Sequence, residues 1–198
     1  MSLQDTVWPT LEVNTDINPV LDRVLKSVII WAPQSNGVTH WRTSYEFAEV
    51  VRKGPLGISV DMFQPKSHVY HTTKGTGNSF GTLLIKVSFE KLTSTSPAVR
   101  VDIPLQQAVT VRRQLLEFIV TRNMQYYRFH NAGSGCMFWQ LTLLQRMGEE
   151  AKWIRVEEFL RVLNIIQEAR NASSAVASSM PWPPRQGTFY TPPTSQAA

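Results

Sequence analysis

Thr39-His40-Trp41-Arg42-Thr43-Ser44-Tyr45-Glu46-Phe47 alternates with period two. Trp41, Thr43, Tyr45 and Phe47 fall on one side and His40, Arg42, Ser44 and Glu46 on the other, the pattern of a half-buried strand. Upstream, Val24–Trp31 is a β-branched, apolar run that reads as a buried strand, and Asn36-Gly37 between the two supplies hairpin chemistry. Downstream, Lys53-Gly54-Pro55 breaks the alternation, which resumes over Gly57–Phe63 with Ile58, Val60 and Met62 opposite Ser59 and Asp61. After a polar loop, Leu83, Ile85, Val87 and Phe89 form the inward face of another strand and Leu84, Lys86, Ser88 and Glu90 its outer face. Val99–Ile103 reads as a short partner strand.

The period then changes from 2 to 3.6. Thr110 caps a helix with the apolar stripe Val111, Leu115, Phe118 and Ile119. A second helix spans roughly 135–147, and Val156, Phe159, Leu160, Leu163 and Ile166 mark a third. Strands first and helices afterwards predict an α+β domain, an antiparallel sheet covered on one side by helices. Residues 1–22 read as an irregular arm and 23–170 as a single domain. From 171 to 198 the Ala/Ser-rich and then Pro-rich composition predicts a disordered tail.

With 198 residues and 42% hydrophobic content, the chain has enough material for one proper core. No apolar run approaches membrane-spanning length, and a single cysteine cannot form an intrachain disulfide; both point to a cytoplasmic, reducing setting. The formal net charge of +5 suits an anionic partner but does not require one. There is no Walker loop, dinucleotide fingerprint or Gly-x-Ser-x-Gly elbow, so nucleotide activation by this chain is not expected. His68 and His71 have no cysteine or carboxylate close by in sequence, and neither a metal nor a cofactor is expected.

Cys136 closes the turn Asn131-Ala132-Gly133-Ser134-Gly135 and opens a helix. Ser134 stands where an N-cap belongs, which places Cys136 in the first turn, where unpaired amides and the helix dipole favour a thiolate. His40 lies on the polar side of its strand. A cysteine at a helix start and a histidine on a strand make the smallest set for thiol nucleophilic catalysis, and Asp61 or Ser59 on the next strand would orient the imidazole. His130 competes with His40 as base. Backbone amides at Ser134–Cys136 would form an oxyanion site. The bland readings stay open: a lone cysteine is often a small core hydrophobe, and a strand histidine is often simply hydrogen-bonded.

Arg42 is two residues from His40 on the same face, within reach of the reaction site. Trp41, Tyr126, Tyr127 and Trp139 would wall a pocket or stack bases, with Trp41 better suited to the core. Arg112, Arg113, Arg122 and Arg128, with further basic residues of the helical half, are either solvated helix faces or a phosphate-tracking surface.

His40-Trp41 on an early strand, followed by a glycine turn and Cys136 at a late helix, resembles the circularly permuted papain-like proteins of the NlpC/P60 and lecithin-retinol-acyltransferase-like groups, which implies that fold. In those groups an asparagine precedes the cysteine, whereas the nearest here is Asn131. A second resemblance covers roughly residues 25–167. Thr39-His-Trp-Arg42, Gly57-Ile-Ser-Val-Asp-Met62 and Tyr127-Arg-Phe…Gly135-Cys-Met-Phe-Trp139 look like the fungal arginine-containing cyclodipeptide synthases. That resemblance implies a diketopiperazine made from arginyl-tRNA and a second aminoacyl-tRNA through a Cys136-linked intermediate, in natural-product biosynthesis. It also implies a carboxylate for the arginine guanidinium (Asp61, Glu46 or Glu90), and Arg42, Ser59, Ser134 and Trp139 are expected from their places in the sequence to contact the substrate. Two rivals share these residues: a papain-like cysteine hydrolase or acyltransferase on amides or esters, and a non-catalytic module that binds nucleic acid or protein.

Overall fold

Residues 16–33, 40–63, 81–130 and 135–191, with the backbone of 11–13, are described by the structure, a computed structural model. Six strands form one sheet in the order β1-β5-β4-β3-β2-β6. They are β1 (Leu11–Val13), β2 (Val24–Pro33), β3 (Arg42–Phe47), β4 (Gly57–Phe63), β5 (Thr82–Ser88) and β6 (Pro97–Thr110). β2 to β6 pair antiparallel throughout, and β1 adds a parallel edge against β5. Strand alternation sets the two faces as expected: Trp41, Thr43, Tyr45 and Phe47 are buried on one side of β3, and Ile58, Val60 and Met62 share that side on β4.

Helices cover this apolar side. α1 (Cys136–Glu149) lies against β3 and β4, and α2 (Val156–Ala172) against α1 and β6. Leu143, Leu144 and Met147 from α1 and Val162 and Ile166 from α2 are fully buried there, completing the core. The architecture is α+β, a largely antiparallel sheet with helices on one face.

Four expectations are revised. Residues 1–22 are not simply an arm: Leu11–Val13 joins the sheet, and Ile17, Val20 and Leu21 enter the core. The partner strand at Val99–Ile103 is part of a 14-residue strand that pairs with nearly all of β2. The helix after Thr110 has Thr110 Oγ1 accepting from the Arg113 N–H at 3.2 Å, but over Arg113–Val120 it is wound as a π-helix. The expected disordered tail is folded as far as residue 190. α3 (Ser174–Ser179) is capped by the Ser173 hydroxyl, Met180 is buried, and β8 (Thr188–Phe189) pairs with β7 (Tyr127–Arg128). Scattered apolar residues (Val176, Met180, Phe189) anchor a segment whose average composition reads as disorder. The Asn36-Gly37 turn and the loop with His68 and His71 lie outside the described residues.

Candidate active site

Cys136 is the first residue of α1, so its N–H is among the helix amides with no intrahelical acceptor. The N-cap is Gly135 rather than Ser134; Ser134 lies outside the described residues. Gly135 has φ 137°, a region that side chains disfavour, and a Cβ there would sit 2.7 Å from the Tyr127 hydroxyl. Glycine is therefore required by backbone and by space. Cys136 is largely buried, with 9% of its surface exposed.

His40 lies just before β3, and the register Thr43↔Val60 sets Arg42 across from Asp61 on β4. His40, Arg42 and Asp61 meet there. His40 Nε2 is 2.5 Å from Asp61 Oδ1, and Arg42 Nε donates to Asp61 Oδ2 at 3.0 Å. Both oxygens of a carboxylate whose side chain is only 8% exposed are thus engaged by cationic donors, which offsets its desolvation. Cys136 acts on the same imidazole, adding to what raises its pKa. With Nε2 occupied by Asp61, Nδ1 is the ring nitrogen left for the sulfur. Burial of the imidazole works against its charge. The hydrogen bonds and negative charges of Asp61 and Cys136 outweigh it, raising the His40 pKa from 6.5 to about 9. The sequence-predicted trio is brought together: Asp61 holds the imidazole, and Cys136 lies near enough to act on it. His130, the competing base, is exposed.

One residue the sequence reading passed over holds this trio in register. Gln140, one turn after Cys136, is completely buried. Its amide donates to the Trp41 carbonyl at 3.4 Å and the Val60 carbonyl at 3.3 Å, and its oxygen accepts from the Thr43 hydroxyl. Trp41 adjoins His40 and Val60 adjoins Asp61, so one side chain ties the cysteine helix to both strands beside their functional residues. A polar residue at helical spacing from the cysteine is the only signal the sequence carries for it.

The remaining candidates separate. On the outer face of the sheet a cavity of about 720 Å³ is lined by Trp31, Arg42, Ser59, Asp61, Lys86 and Glu90 among others. Its wall is tied to the sheet where the Ser44 hydroxyl donates to the Leu92 carbonyl at 2.6 Å. Arg42 and Ser59 therefore stand beside the trio. Of the three carboxylates offered for a guanidinium, Asp61 is fully engaged, and Glu46 accepts from Ser27 and Lys26 away from the cavity. Glu90 is on the cavity wall with no ion pair among the described residues. Trp139 is not a substrate contact: it is wholly buried, and its indole N–H donates to the Met124 carbonyl at 2.8 Å. Arg112, Arg113 and Arg122 pair with Asp22, Glu117 and Glu150, and Arg128 stacks against Tyr190.

Among the described residues no cluster of three or more His, Cys, Asp or Glu could hold a metal ion. No helix among them is long and apolar enough to cross a membrane. The family described as "Domain of unknown function (DUF7770)" matches residues 29–190, a span that contains His40, Asp61, Cys136 and the C-terminal strand. No curated protein and no solved structure matches the chain.

Proposed function

This chain belongs to the DUF7770 family, and we propose that it is a cysteine acyltransferase acting on aminoacyl-tRNA, a cyclodipeptide synthase that makes an arginine-containing diketopiperazine. The observation that carries acyl transfer is the arrangement itself: Cys136 at a helix start, close enough to raise the pKa of His40, which Asp61 holds at 2.5 Å. The choice of aminoacyl-tRNA rests on the three motifs that resemble the arginine-containing synthases, and the separate resemblance to permuted papain-like proteins supports the cysteine nucleophile. That choice also agrees with a sequence that carries neither a Walker loop nor a dinucleotide fingerprint, because an aminoacyl ester is already activated.

In the proposed sequence, Cys136 Sγ attacks the arginyl ester carbonyl. The Cys136 N–H faces the developing oxyanion. As the tetrahedral intermediate collapses, the ester C–O bond breaks and His40 delivers its proton to the departing ribose hydroxyl. A pKa near 9 keeps that proton in place at neutral pH. The α-amine of the second aminoacyl-tRNA then attacks the thioester, expelling the thiolate and giving its proton to His40. The arginyl α-amine closes on the second ester, releasing the second tRNA and the cyclic dipeptide. We assign the guanidinium to Glu90, the cavity-wall carboxylate with no ion pair among the described residues, and a cytoplasmic setting would keep the thiol reduced.

Incubation with arginyl-tRNA and a second charged tRNA, followed by mass spectrometry, tests the reading. A cyclic arginine-containing product is expected from the native protein and none from Cys136→Ala. Release of free amino acids alone would make the chain a hydrolase, and product from Cys136→Ala would remove the covalent step.

A further inference from the structure

Tyr127 is not part of the trio, yet it is fully buried beside it. Its hydroxyl donates to the Gly135 carbonyl at 3.0 Å and accepts from the Gly187 N–H at 2.9 Å. The Gly135 carbonyl also accepts from the Trp139 N–H at 2.9 Å, so two donors pin one peptide plane. That plane carries the Cys136 N–H. A trans peptide points its N–H opposite to its C=O, so fixing the Gly135 carbonyl fixes the aim of the Cys136 amide. Held by the side chain of β7, the first amide of α1 cannot swing.

The far side of the hydroxyl is set by the C-terminal segment. A Cβ at Gly187 would lie 2.3 Å from both the Tyr127 hydroxyl and the Arg128 carbonyl, so only glycine lets the chain approach this closely. Thr188 and Phe189 then pair with Arg128 and Tyr127, and the Phe189 ring is 5.1 Å from the Tyr127 ring. Burial and the nearby charge of Cys136 raise the Tyr127 pKa above that of an ordinary phenol despite the Gly187 N–H. The hydroxyl therefore stays protonated and remains a donor.

We infer that Tyr127 and Gly187 are positioning residues: the C-terminal segment sets the Tyr127 hydroxyl, and the hydroxyl aims the Cys136 amide at the oxyanion of the acyl-transfer step. This rests on the reading of Cys136 as an acyl acceptor. It adds that residues near the end of the chain complete the active site.

Two reactions at the same sulfur separate this role from mere packing. Acylation by p-nitrophenyl acetate forms an S–C bond, breaks the ester C–O bond and releases p-nitrophenolate through an oxyanion intermediate. Alkylation by iodoacetamide displaces iodide with no oxyanion. Both are read at Cys136 by intact mass in the full-length protein. Tyr127→Phe, which keeps the ring, is expected to slow acylation by about ten- to hundredfold. Alkylation should stay within about twofold of the native rate, a difference of roughly 0.4 kcal/mol or less. Gly187→Ala should give the same selective loss and serves if Tyr127→Phe does not fold. Unchanged acylation in the variants, or equal slowing of both reactions, overturns the inference alone. A native protein that alkylates at Cys136 but takes up no acetyl group overturns the acyl-acceptor reading, and this inference with it.

Discussion

At the scale of single residues the site depends on one proton. His40 is raised from 6.5 to about 9 by partners that its burial only partly opposes. The sign follows: the charged imidazole contributes stability that is fully present below pH 6.5 and is lost as pH rises through about 9. Thermal melts at these two pH values should show a fall for the native protein and a smaller fall for His40→Gln. The same proton is the one the leaving group takes, so turnover should decline along an alkaline limb near pH 9. Asp61→Asn removes the largest influence that raises this pKa, and Arg42 then faces a neutral amide. The limb is expected to move to lower pH and turnover to fall by about a hundredfold. An alkaline limb that stays in place in Asp61→Asn would detach the carboxylate from the imidazole.

At the scale of elements, α1 has to meet β3 and β4 in one register, and Gln140 supplies it. Replacing Gln140 by Leu would leave the Thr43 hydroxyl and the Trp41 and Val60 carbonyls buried without this partner. A loss of about 3 kcal/mol in urea unfolding is expected, with a larger proportional loss of turnover than of Cys136 alkylation. Unchanged stability would mean that the strands and helix hold their register without the amide. The strands were legible because period two survives any packing: His40 and Asp61 could be placed on one polar face before their partners were known. Cys136 at a helix start was equally legible from the glycine turn. Gln140 was not, because a pattern of apolar stripes treats a polar residue as outward-facing and cannot see one buried against two carbonyls. Trp139 failed the opposite way: an aromatic near the cysteine reads as a pocket wall until its N–H finds the Met124 carbonyl. The tail was misread because composition averages over its few anchoring residues, and β-pairing across some 60 positions has no local signature.

At the scale of the whole molecule, a formal charge of +5 overstates the cationic surface that the helical half offers. Arg112, Arg113, Arg122, Arg155 and Arg161 each have a carboxylate within 4 Å, so a phosphate approaching the helical half would compete with an acid already in place. Lys86 and Lys91 line the cavity and have no ion pair among the described residues, while Arg42 Nε is committed to Asp61. Electrostatic contact with an acceptor stem is therefore expected at the cavity rim and to involve few phosphates. Binding of an aminoacyl-tRNA measured by fluorescence anisotropy against salt should show a slope of magnitude about 2 to 3, at roughly 0.9 per duplex phosphate contact. The double variant Lys86→Ala, Lys91→Ala should lower that slope by about 2, whereas Arg112→Ala, Arg113→Ala should change it by less than about 1. The reverse ranking would move the nucleic acid back onto the helices. Phosphate would then have to displace the carboxylates of Asp22 and Glu117, an exchange that exposed, solvent-screened pairs oppose only weakly.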